Sequence, residues 1–345
     1  MNNRYWRSAL CVLLGILLAL TTACSSGNMS DAGEGQGQES IGGSRADSND
    51  GQAGDGTVER GEDVTAATKM VTDAMGREVE IPRDPQNVIA LWTVGEMLAL
   101  GQKPLGTSEN LLRFYSEEER AGIAIVSNGT TGDYEKVLAM SPDLIMLSAR
   151  VTEEVIAQYS KIAPTVTTPF YGDPIETFRT VADLLNKSDE AEQWLATYEA
   201  RVEEKRRKVA SLKLSEQSAL VIQFALKNIY MYRSSTFPVI YQDYGFQLTA
   251  KQEELEQAPD FGSYQLAEEA LPDFAADHIF VIVNDDESRP VYEELMQRAV
   301  WSGLQAVRDG QVYLIDNRLS INDVTTMDWA LDEVERLLES HGLMD

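Results

Sequence analysis

The chain has 345 residues, 43% of them hydrophobic, and 29 Lys and Arg against 56 Asp and Glu give a formal net charge of −27. A polyanion of this kind is repelled by nucleic acid and by anionic headgroups alike, which excludes nucleic acid as a partner and charge as a means of holding a membrane. Only two His occur in the whole sequence, and no pair has ligand spacing, so a His-rich zinc or manganese centre is not expected.

The first residues set an address. Arg4 and Arg7 precede an apolar run from Ala9 to Leu20, followed by Thr21-Thr22-Ala23-Cys24. A membrane span needs about 20 apolar residues; this shorter run reads as the apolar region of a signal peptide covering residues 1–23. Small Ala23 directly before Cys24 resembles the bacterial lipobox, with one departure: Thr21 stands where that motif prefers Leu, and Leu20 lies one position further out. The resemblance implies that Cys24 is acylated and becomes the mature N-terminus; ordinary secretory cleavage nearby is the alternative. Cys11 falls in the removed segment, so Cys24 is the last thiol and no intrachain disulfide can form. An acyl chain on Cys24 would anchor the protein outside the cytoplasm, at the cell membrane. Residues 24–65 hold almost no apolar side chains, as in Gly33-Glu34-Gly35-Gln36-Gly37-Gln38, and read as a flexible tether.

The folded part begins with a hairpin, Val71-Thr72-Asp73 and Glu78-Val79-Glu80-Ile81 around Met75-Gly76-Arg77, which Pro82 and Pro85 stop. Val88 to Leu91 is a strand buried on both faces, and Thr93 to Leu100 a short helix ending at Gly101. Strands follow at Ile123–Val126, Leu144–Leu147 and Thr165–Thr167, with helices at Asp133–Met140 and Thr152–Ile162 between them. Ser188 to Leu212 is the longest helical candidate. Ala191, Trp194, Leu195, Tyr198, Val202, Val209 and Leu212 fall at spacings of three, four or seven on one face, and the rod would be roughly 33 Å long. The alternation then restarts: strands at Ala219–Ala225 and Ile229–Tyr232, a helix over Thr236–Tyr244, strands at Ile279–Val283 and Val312–Ile315. A last helix runs from Thr325 to His341, with Thr325 and Asp328 as a capping-box-like start. This pattern predicts an α/β fold of two lobes joined by one long rigid helix: residues 66–187, the helix 188–212, and residues 213–345.

One segment recurs. Glu135 is followed eight residues later by Asp143, and Glu269 eight later by Asp277, each acid opening a short helix that leads to a buried strand. The repeat supports two like lobes on either side of the rod.

These residues carry a family resemblance. Thr72-Asp73 with Gly76-Arg77, Ile81-Pro82, Pro85 and Val88 resembles the opening hairpin of iron-siderophore substrate-binding proteins of ATP-driven importers. Glu135 through Ile145, then Glu269-Ala270-Leu271 with Asp277, Trp301 and Ala306 to Tyr313, resembles the matching stretches of their two lobes. The likeness covers about residues 66 to 342. It implies capture of a ferric siderophore between two α/β lobes, delivery to an ABC-type permease, no catalysis, no intrinsic cofactor and a monomer. It also implies that Glu135 and Glu269 dock into arginine pockets of the permease. The alternative for each glutamate is a helix-start carboxylate favoured by the macrodipole.

Ligands of open α/β sheets sit beyond the carboxyl ends of strands. That rule nominates Trp92, Ser148 to Arg150, Tyr171, Phe224, Arg233 to Ser235, Asn284 to Arg289 and Asn317-Arg318. A ferric chelate needs flat aromatic surface and a few cations, because the iron is already saturated by its chelator; Trp92, Arg150, Tyr171, Arg233 and Arg318 are the expected contacts. Core packing is the competing reading of Trp92, and a surface ion pair that of any single Arg. Two other classes stay open on sequence alone: a secreted hydrolase using a carboxylate pair, and a surface interaction lipoprotein that binds no ligand. The first lacks Gly-x-Ser-x-Gly, a Gly-rich phosphate loop and a His placed as base.

Overall fold

A computed structural model describes residues 67–343 except Thr130, Tyr171, Pro259 and Asp260. All of them belong to one compact unit, Glu62–Asp345. The signal segment, Cys24, the tether and Tyr171 lie outside the described residues.

The opening hairpin is β1 (Thr68–Thr72) paired antiparallel with β2 (Glu78–Pro82). Gly76 turns it at φ +77°, a conformation that L side chains rarely adopt. Asp73 explains the Thr-Asp…Gly-Arg pattern. Its buried carboxylate accepts from Met75 N and Arg77 N, pairs with the Arg77 guanidinium, and accepts from Thr167 N at 3.0 Å and Thr167 Oγ1 at 2.8 Å. The hairpin is thereby pinned to the first lobe.

That lobe is a parallel sheet of five strands: β3 (Val88–Ala90), β4 (Gly106–Ser108), β5 (Ala124–Ser127), β6 (Leu144–Ser148) and β7 (Thr165–Thr168), in the order β5-β4-β3-β6-β7. The second sheet is β8 (Ala219–Ala225), β9 (Asn228–Tyr232), β10 (Ser263–Leu266), β11 (His278–Val283) and β12 (Val312–Ile315), in the order β10-β9-β8-β11-β12. The first strand of each lobe is central, the next two stand on one side and the last two on the other. Direction differs, because β9 returns antiparallel to β8 and pairs antiparallel with β10.

The repeated acids have one structural role. Asp143, just before β6, accepts from Gln86 N at 2.8 Å and Asn87 N at 2.9 Å, at the start of neighbouring β3. Asp277, just before β11, accepts from Ser218 N at 2.8 Å at the start of neighbouring β8. Each aspartate holds the first turn of its sheet's central pair in register.

The long helix is unbroken over Ser188–Val209 and tightens to a 3-10 turn at Ala210–Leu212. It does not act alone, and the lobes are not held apart. The C-terminal helix Val324–Ser340 packs against it and also against the Val94–Ala99 helix of the first lobe. One apolar cluster runs from Val88 and Ala90 through Leu195 and Val202 to Val221, Phe280 and Leu331. The charged face of the long helix has a partner in this arrangement. Arg201 and Lys205 bridge to Asp332, at 2.7 and 2.5 Å, and Lys208 reaches Glu335 at 3.1 Å. The C-terminal helix starts one turn before Asp328: Asp323 caps it, accepting from Thr326 N at 2.7 Å, while Asp328 pairs with Arg201. The helix expected over Thr236–Tyr244 is split into a 3-10 turn, Ser234–Thr236, and a π-helical turn, Val239–Asp243, on either side of Pro238, which has no N–H to donate.

Close packing at the seam depends on Gly95, where a Cβ would lie 2.2 Å from Asp323 Cγ. Next to it Glu96 is 4% exposed. Burial, and then repulsion from Asp323, push its carboxyl well above the ordinary value of 4.5. Above that pH the folded chain holds a proton that the unfolded chain has released, so this group makes stability fall as pH rises towards its native pKa. Glu96→Gln removes the term while keeping the shape. Its stability relative to the parent is therefore expected to grow as pH rises above about 4.5 in urea unfolding; an advantage that shrank with pH would refute the buried proton.

Candidate functional site

The carboxyl ends of both sheets converge on one cleft. Trp92 stands two residues beyond β3, and Phe170 two beyond β7. Arg113 and Phe114 directly follow the short helix Glu109–Leu112 after β4. From the other lobe come Gln223 of β8, Tyr232 of β9, Phe237, Asn284 just beyond β11, and Ser320 and Asn322 beyond β12. The cavity they line is about 260 Å³. Most of these side chains stand where a strand gives way to a loop, whereas Gln223 and Tyr232 are supplied from within β8 and β9, the latter buried only at alternate positions.

The aromatic wall is organised. Trp92 and Phe170 are stacked, with centroids 4.4 Å apart at 25°, and Tyr232 meets Phe237 edge-on at 6.2 Å. Arg150 lies over Phe170, its guanidinium carbon 4.5 Å from the ring centre, and Arg113 stands over Phe114 at 4.3 Å. On the opposite wall Gln223 Nε2 donates to Ser320 Oγ at 2.8 Å. Asn322 Nδ2 donates to Gly172 O at 3.4 Å, across to the first lobe. This mixture of flat rings, neutral amides and few cations suits a bulky, partly aromatic or amide-rich guest.

The expected contacts divide. Trp92 lines the cleft and also packs on the cluster of Leu111, Leu112 and Tyr115. Arg150 stands at the cleft through Phe170. Arg233 is committed elsewhere: Nε donates to Phe261 O at 2.8 Å and Nη2 to Ala258 O at 2.9 Å, which holds the loop before β10. Arg318 is 9% exposed and forms a fork with Glu119, at 2.7 and 3.1 Å, between Tyr115 and Trp329. That fork joins the lobes, and against the opposing effect of burial it holds the Glu119 carboxyl below its usual range. Phe224 is core, packed edge-on against Tyr292.

Several cleft residues were not singled out: Phe170, Arg113, Phe114, Tyr232 and Phe237. Phe170 could have been found, since it follows the strand Thr165–Thr168 as closely as Trp92 follows its own. Arg113 and Phe114 could not, because β4 is only three residues long and gives no periodic signal.

Both His are structural. His278 is buried between Tyr313 OH, 2.9 Å, and Gln217 Oε1, 2.6 Å, and desolvation lowers its pKa. His341 contacts the carbonyls of Leu337 and Val312. Among the described residues no group of three His, Cys, Asp or Glu could hold a metal ion, and no helix is long and apolar enough to cross a membrane.

Residues 95–319, spanning both lobes and the cleft, match the periplasmic binding protein family. The chain belongs to that family. Among curated relatives, the iron(3+)-hydroxamate-binding protein FhuD of Bacillus subtilis is 29% identical over 265 residues, 74% of this chain and 81% of its own. The probable siderophore-binding lipoprotein YfiY of the same organism is 25% identical over 287 residues, 79% and 88% of the two chains. A solved FhuD fold-family protein of B. subtilis, described as the binding component of a Fep/Fec-like ferrichrome ABC transporter, superposes with a TM-score of 0.64 at 27% identity. The match covers 77% of this chain and 99% of that one. The fold of this binding protein is therefore the two-lobed α/β fold that the sequence predicts.

Proposed function

We propose that this binding protein captures a ferric siderophore outside the cytoplasm and hands it to an ABC-type permease, performing no chemistry on it. The observation that carries the reading is the aromatic cleft between the lobes, built from the carboxyl ends of both sheets, in a chain whose relatives are named for ferric hydroxamate and siderophore binding. A coordinatively saturated chelate asks for surface and orientation, which Trp92, Phe170 and Arg150 supply, and for no metal-binding side chain. Tyr171, the neighbour of Phe170, belongs to the same proposal. Titration of Trp fluorescence with ferric hydroxamate and catecholate complexes tests it: saturable quenching is expected, and no quenching across the panel would leave a surface lipoprotein that binds no ligand.

Delivery is assigned to Glu135 and Glu269. Glu135 is exposed in the first turn of the Tyr134–Ala139 helix, with exposed Tyr134 and Leu138 beside it. Glu269 is exposed in the Glu268–Ala270 turn, at the equivalent place in the second lobe. Two carboxylates, one per lobe, suit charge-assisted pairing with arginines of a two-fold partner. The double variant Glu135→Ala, Glu269→Ala is expected to bind its chelate as the parent does, while uptake by cells falls about tenfold or more. Lost chelate affinity in that variant would count against docking. Anchoring is assigned to acylated Cys24, and Cys24→Ser is expected to shift the protein from the membrane fraction to the medium or to unprocessed precursor.

A further inference from the structure

The cleft has few charges, and their balance bears on the guest. Among the described residues its lining holds five aromatic side chains and a single cation, Arg113; Arg150 adds a second guanidinium at the Phe170 side. Opposite Arg113, the loop leaving β11 runs Asn284-Asp285-Asp286-Glu287, so the cleft-lining Asn284 is followed at once by three acids. Asp286 and Glu287 are exposed, and Glu287 is met by Lys227 at 3.3 Å. Asp285 is fixed in place: it accepts from Ser288 N at 2.8 Å and Leu226 N at 3.2 Å. Against burial, these hydrogen bonds, and then the charge of Arg113, keep its carboxyl below the usual range.

The polar wall points the same way. The buried Oδ1 atoms of Asn284 and Asn322 have no hydrogen-bond partner. For Asn322 the bond from Nδ2 to Gly172 O fixes the amide so that an acceptor is left over. An unpaired buried acceptor has lost its water without gaining a partner, and it is relieved by an N–H donor but not by an anionic oxygen.

From these observations we infer that Asp285 is a specificity-determining residue: it offsets Arg113 and turns the cleft toward ferric chelates that carry no net negative charge and offer amide N–H or ammonium donors. The inference rests on the ferric-chelate reading above and deepens it. A ferric trihydroxamate meets the requirement, since three singly charged hydroxamates balance the iron. A ferric tris-catecholate is triply anionic and would face Asp285 and its neighbours. Because salt screens charges beyond about 8 Å, these local acids, more than the overall charge of the chain, set the discrimination.

The experiment is calorimetric titration of the full-length lipid-free protein with three probes: a neutral cyclic ferric trihydroxamate, a linear ferric trihydroxamate with an ammonium arm, and a ferric tris-catecholate. Both trihydroxamates are expected to bind about 100-fold or more tighter than the tris-catecholate. Asp285→Asn removes the charge and keeps one oxygen for the Ser288 amide while giving up the bond from Leu226 N, and is expected to narrow that gap about tenfold, with circular dichroism and thermal unfolding checking the fold. A tris-catecholate that binds as tightly as the others, or a gap untouched by Asp285→Asn in a folded variant, overturns the inference and leaves the ferric-chelate reading standing. Absence of binding by all three probes overturns both.

Discussion

Gly95→Ala is expected to destabilise the protein by about 2–3 kcal/mol. Considered locally the sign should be the opposite, since alanine is favoured over glycine inside a helix by up to about 1 kcal/mol. Contact with the other lobe reverses it. The new methyl group would sit 2.2 Å from Asp323 Cγ, 2.3 Å from Oδ2 and 2.5 Å from Oδ1. Asp323 cannot simply swing away, because it caps the C-terminal helix through Thr326 N, accepts from Thr325 Oγ1 at 2.8 Å and takes the Tyr115 hydroxyl. The Val94–Ala99 helix must then move off the C-terminal helix, opening the apolar cluster that both lobes share. Urea unfolding of the ligand-free protein measures the cost. A variant as stable as the parent would mean that the seam yields without loss, and that the lobes are less firmly joined than their contacts indicate.

Trp92→Ala is expected to lower affinity for the best ferric chelate by about 10- to 100-fold, the usual range for a central aromatic contact. The indole supplies the flat face opposite Phe170, and its loss also lets that ring, with Arg150 above it, leave its position. Trp92 has a second role against Leu111 and Leu112, so some loss of stability will accompany the truncation. Trp92→Phe separates the two effects: it keeps a stacking ring, and should recover most of the affinity. Calorimetric titration of both variants decides. Equal affinity for parent and Trp92→Ala would move the ligand away from this wall and take the cleft assignment with it.

Strands that are apolar along their whole length were legible because a strand buried on both faces needs no alternation: Leu144–Ser148 and His278–Val283 are buried at every position. The long helix was legible from the spacing of Ala191, Trp194, Leu195, Tyr198, Val202, Val209 and Leu212, of which Trp194 and Leu212 are half-buried and the others buried. Short elements were not. β4 has three residues and β10 four, three of them exposed, so neither carries a period. Arginines misled for a different reason. Five N–H donors on a long stem can serve a guest or a row of carbonyls equally well, and only the positions of the Glu256, Ala258 and Phe261 carbonyls commit Arg233 to the latter. Arg318 found Glu119, 199 positions away in sequence, a pairing that no local pattern announces.

By itself the sequence determined the alternation of buried strands and helices, the paired Glu-and-Asp segments of the two lobes, and the scarcity of metal ligands. All of these are written in residue type and short-range spacing. Only the tertiary structure decided that the C-terminal helix returns to the first lobe, that both lobes share one apolar seam, and which side chains meet across the cleft. Those outcomes depend on contacts between residues far apart in the chain, whose energies appear only when the segments are brought within van der Waals distance.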